Sequence, residues 1–70
     1  MNLEQIIIDE LQQNYPDNLN DLRVISDDEA TLFASLIEGF IAENVPSLAE
    51  YNNDIDWMDI ATQLLEIEYK

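Results

Sequence analysis

Apolar residues recur at helical spacing along almost the whole chain. Leu3, Ile7, Leu11 and Tyr15 follow one another every four residues, with Ile8 beside them, and so form one stripe of a first helix. Asn2 is placed to cap that helix, and Gln5 occupies the capping-box position. Tyr15–Pro16 ends it, because proline pushes the residue before it out of the helical region. In "PDNLNDLRVIS" Pro16 suits a first-turn position, and Leu19 and Leu22 stand three apart. This connection is expected to hold a short helical turn, with Val24 and Ile25 pinning it to the core.

Ser26 followed by Glu29 reads as a second capping box, with Asp27 and Asp28 where a helix N-terminus favours anions. On the second helix (26–45), Thr31, Ser35, Glu38 and Ala42 share one narrow strip. Leu32, Phe33, Leu36, Ile37, Phe40 and Ile41 spread over nearly all the rest. A helix this apolar is either the central element of a bundle or a subunit interface, and the central position is the more frequent case. Gly39 in its interior costs about 1 kcal/mol relative to Ala, which points to a close approach by a neighbouring backbone.

Val45–Pro46 stops this helix, and Ser47 with Glu50 opens a short turn. "NNDID" reads as a loop. Asp54 or Asp56 then caps a last helix in which Trp57, Ile60, Ala61, Leu64, Leu65 and Ile67 face inward. Tyr15, Tyr51, Tyr69 and Trp57 are expected to be half-buried anchors. The predicted fold is all-α: residues 1–70 form a single domain, a compact bundle of three main helices with one or two short additional helical turns.

Composition agrees with a folded domain of narrow stability. Seventy residues bury roughly 60% of the surface that the unfolded chain exposes. Hydrophobic residues make up 47% of the chain, with one Gly and two Pro, so this is no disordered acidic tail. The N-terminal "MNLEQIIIDELQQN" has no basic region and carries Glu4, Asp9 and Glu10 among its apolar residues. It is therefore read as neither signal peptide nor membrane span, and a cytoplasmic location is expected.

Charge changes the picture more than anything else. Sixteen Asp and Glu face only Arg23 and Lys70, a formal net charge of −14. Phosphate contacts need clusters of Lys and Arg, so direct nucleic-acid binding is not expected. With no His, no Cys and no cluster of cations to stabilise developing charge, no catalytic constellation can be assembled and no cofactor is implied. Asp54, Asp56 and Asp59 in "DIDWMD" invite a calcium-loop reading. A calcium loop of the EF-hand type, however, needs Gly at its sixth position, where Asp59 stands, so no metal site is expected either.

The acidity is either that of a merely soluble or halophilic surface or that of a surface for a basic partner. The acids of the connections, Asp27, Asp28, Glu29, Glu50, Asp54, Asp56 and Asp59, are the candidate partner-binding residues. Carboxylates three or four residues apart on a helix lie about 5–6 Å apart, of the same order as the spacing of phosphates along nucleic acid. The expected function is non-catalytic inhibition: the protein occupies a basic, nucleic-acid-binding site on another protein. By analogy of size and charge, without any shared motif, this compares with the small acidic nucleic-acid mimics of phages and mobile elements, such as anti-restriction and anti-CRISPR proteins. The alternative is an adaptor, antitoxin or immunity protein that forms a homodimer or docks a partner through the apolar face of the second helix.

With so few cations to offset them, the acids repel one another, and moderate neutral salt should raise the thermal midpoint by screening that repulsion. A midpoint that is flat or falling as sodium chloride is added would show that the charges are locally compensated.

Overall fold

Asn2 opens the first helix as expected, its side-chain Oδ1 accepting the Gln5 backbone N–H at 3.2 Å. The computed structural model describes residues 2–68, apart from the side chains of residues 52, 67 and 68. The inward position expected for Ile67 and the anchor role expected for Tyr69 lie outside this description. The elements are α1 (Leu3–Asn14), α2 (Pro16–Ser26), α3 (Ala30–Asn44), α4 (Pro46–Ala49), a 3-10 turn (Asn52–Asp54) and α5 (Trp57–Glu68). No helix among the described residues is long and apolar enough to cross a membrane.

The prolines both end and begin helices. Tyr15 donates its backbone N–H to Leu11 O at 3.1 Å, closing α1, and its own carbonyl accepts the Leu19 N–H at 2.9 Å, opening α2 with Pro16 in the first turn. Val45 repeats the device: its N–H closes α3 on Ile41 O at 2.8 Å, and its carbonyl accepts the Leu48 N–H at 3.0 Å, opening α4 with Pro46. Proline suits that place because its missing N–H belongs to the group that has no partner in a helix's first turn. The short turn therefore begins at Pro46 rather than through a Ser47–Glu50 capping box.

The segment 16–26 is a complete helix of 11 residues, longer than the expected turn. Its inner face is Leu19, buried, with half-buried Leu22. Val24 and Ile25 do not pin it to the core: they are 65% and 64% exposed. Ser26 is not the cap of the next helix either. It is the last residue of α2, 1% exposed, and its hydroxyl donates back to Arg23 O at 2.8 Å.

The α2 terminus has the double closure of a Schellman turn. The Asp27 N–H reaches Val24 O at 3.1 Å and the Asp28 N–H reaches Arg23 O at 3.3 Å. Asp27 (φ 53°) and Asp28 (φ 62°) are both left-handed, a conformation that short polar side chains tolerate better than most. Only then does α3 start, with Glu29 as its extended N-cap residue and no side-chain cap bond.

Helix α3 is the centre of the bundle. It packs against α2, α4 and α5, while α1 packs against α2 and α5. Phe33, Ala34, Ile37 and Ile41 are buried with Ile7, Ile8 and Leu11 of α1, Leu19 of α2, Ile55, and Ile60, Ala61 and Leu64 of α5. Each fully buried Ile, Leu or Phe side chain among them contributes about 1.5–3 kcal/mol. Leu36 and Phe40 are half-buried, and Leu32 is exposed, so the wet strip is wider than Thr31, Ser35, Glu38 and Ala42 alone. Tyr15 stacks edge-on against Phe40, ring centroids 5.1 Å apart, and Trp57 packs against the core. Tyr51, in contrast, is 46% exposed.

Gly39 permits no close approach. It faces solvent, its φ is negative, and a Cβ built on it would meet nothing within 4 Å. Gly39→Ala should therefore stabilise the protein by about 0.5–1 kcal/mol, through the smaller entropy loss of Ala in a helix. A urea midpoint that rises with an unchanged slope is the expected result; a lower midpoint would place a neighbour at this site.

Candidate protein-interaction surface

Every acid among the described residues whose side chain is described lies exposed or half-exposed; none is buried. The candidate residues fall in two stretches of chain, each held by a local structure that was only partly expected.

The first stretch is the turn between α2 and α3. Its left-handed pair directs Asp27 and Asp28 outward at the carbonyl end of α2, not at the start of α3 as the sequence suggested. Anions are unfavourable there, and the cation Arg23 in the last turn of α2 offsets them. Arg23 donates through Nη1 to Asp28 Oδ1 at 3.2 Å and through Nη2 to Asn20 Oδ1 at 2.9 Å. Arg23 is half-buried but Asp28 is exposed, and an ion pair still open to water on one side contributes about 1 kcal/mol or less. Glu29 completes this stretch, its carbonyl accepting the Phe33 N–H at 2.8 Å and its carboxylate exposed.

The second stretch leads into α5. Of the two candidate caps it is Asp56 that serves: its Oδ1 accepts the Asp59 backbone N–H at 3.1 Å. The Asp59 carboxylate in turn accepts the Gln63 amide at 2.9 Å. Asp54 ends the 3-10 turn and, with Asn2, Leu3 and Glu4, lines a shallow depression. Glu50 follows α4 and is exposed. No group of three or more acids among the described residues is arranged to hold a metal ion.

Glu4 is the residue that the sequence did not place here. Helix α1 brings its carboxyl to Asp59 and to the backbone of Asp56. A hydrogen bond shared with Asp59 chiefly raises the pKa of Glu4; partial burial and the negative charges of Asp59 and Asp56 act in the same direction, and the bond to the Asp56 backbone opposes them. No pattern in the sequence signals the pairing, because residues of two different first turns meet only through the packing of α1 on α5.

Comparison with known proteins finds no family model that matches the chain, and neither the curated proteins nor the solved structures contain a match.

Glu4 sets a pH dependence of stability. Its pKa is raised on folding, so the native state binds a proton that the unfolded chain releases. That contribution is complete below the ordinary carboxylate value and is lost as pH rises through the raised one. Acidification from pH 7 towards that window should therefore raise the thermal midpoint. Glu4→Gln, which keeps a donor for Asp59 without the charge, should raise the midpoint at pH 7 and shrink the gain on acidification. An equal gain in the variant and the parent would remove Glu4 from the account.

Proposed function

We propose that this is a non-catalytic acidic protein that inhibits a partner by occupying its basic, nucleic-acid-binding site. The observation that carries the reading is the pairing of composition with exposure. Sixteen acids face two basic residues, and the acids whose side chains are described all reach solvent. Such a surface steers a basic partner into encounter and repels nucleic acid itself.

The residues proposed to make contact are Asp27, Asp28, Glu29, Glu50, Asp54, Asp56 and Asp59. Apart from Glu50, which follows α4, their backbones are held by a Schellman turn, helix caps and a 3-10 turn, so their charges are presented without a large ordering cost. Hydrophobic docking through α3 finds less support, because Phe33, Ile37 and Ile41 are already used by the core.

Affinity capture from the cells in which the protein acts, followed by competition with DNA or RNA, tests the proposal. The retained protein should be a nucleic-acid binder that nucleic acid displaces from the complex. Glu29→Gln, Glu50→Gln and Asp54→Asn combined leave the Asp56 cap and the Arg23–Asp28 pair in place. This triple variant should bind the captured partner more weakly, mainly through slower association, and the difference should shrink at high salt. Undiminished binding of that variant, or a stable ternary complex with nucleic acid, sinks the proposal.

A further inference from the structure

Val24 and Ile25 are the most exposed of the large hydrophobic side chains in the described structure, and they stand next to each other. Helix α2 turns Leu19, Leu22 and Ser26 inward, which sends Val24 and Ile25 to either side of its outer pole. Asp21, three and four residues earlier, lies between them on that face, and Asp17 lies one turn further back. Asp27, Asp28 and Glu29 follow at the helix end, with Arg23 engaged by Asp28 and Asn20. Two β-branched residues on the solvent side of a helix help neither its propensity nor its burial.

We infer that Val24 and Ile25 form the apolar anchor of the partner-binding surface, received by an apolar slot rimmed with Lys and Arg on a basic protein. The inference rests on the proposed acidic-inhibitor reading and adds to it the point at which contact is dry. Charge selects this occupant. A second copy would bring another −14 against the same acidic rim, and two side chains cover far less than the ~800 Å² per partner that a stable interface buries. Anionic lipid is repelled by the same field. A basic partner is drawn in by the rim, and the buried pair then slows its departure, the division of labour usual in interfaces with a small apolar centre.

The probe is a Leu/Lys peptide patterned as an amphipathic helix, compared with a Ser/Lys peptide of equal charge, each titrated against the full chain at low and at physiological salt. The parent should bind the Leu/Lys peptide about tenfold or more tightly than the Ser/Lys peptide. Val24→Ser combined with Ile25→Ser should erase that preference and leave Ser/Lys binding unchanged, whereas Met58→Ser, at another exposed apolar residue, should keep it. Circular dichroism checks that each variant is folded. Equal binding of the two peptides by the parent, or a preference that survives in the double variant, overturns the anchor while leaving the charge reading intact. Failure to bind either peptide at low salt removes the charge reading on which the anchor rests. A concentration-dependent dimer in sedimentation that the double variant abolishes would make a second copy the occupant and overturn the proposal.

Discussion

The burial of Phe33, Ile37 and Ile41 on α3 is the contact that everything else requires. These three side chains are fully buried in a core shared with residues from α1, α2 and α5, and α4 packs on the same helix. Opposing them is a surface of like charges with almost no cations, which favours any expanded state. A domain of this size has only a few kcal/mol to spare, so the acids are tolerable only because they stay on the outside and keep water. The core is accordingly apolar, and among the described residues the one buried polar side chain, Ser26, satisfies its hydroxyl on its own helix.

Where acids cannot be kept apart, the structure handles them locally. Arg23 is drawn to the turn in which Asp27 and Asp28 lie at the carbonyl end of α2, a place hostile to anions. Glu4 and Asp59 instead share a hydrogen bond, so the meeting of α1 and α5 costs less when a proton is present. Neither device neutralises the surface; each relieves one contact and leaves the wider field in place.

The helices with a single stripe were legible from the sequence. Leu3, Ile7, Ile8 and Leu11 marked α1, a cap at Asp54 or Asp56 and the inward run from Trp57 marked α5, and the apolar circumference of α3 marked the centre. Helix α2 was obscured because Val24 and Ile25 break its stripe, and an apolar residue carries no mark of which way it faces. Ser26–Glu29 misled for a different reason: the same spacing that opens a helix here closes one, and two left-handed Asp residues stand where Gly would have announced the turn. For the candidate surface, the exposure of the acids was legible and the meeting of Glu4 with Asp59 was not, since tertiary packing alone creates it.

The two residues that precede proline carry a consequence for how the molecule comes apart. Tyr15 holds the last turn of α1 with its N–H and the first turn of α2 with its carbonyl, and Val45 does the same for α3 and α4. A helix end ordinarily frays by itself, at little free-energy cost. Here the last residue to loosen in one helix is the first support of the next, so fraying at either junction must disturb both neighbours. The interior helix ends are thereby coupled, and exchange of the amides that donate at the junctions, those of Tyr15, Leu19, Val45 and Leu48, should track the opening of both adjoining helices rather than of one.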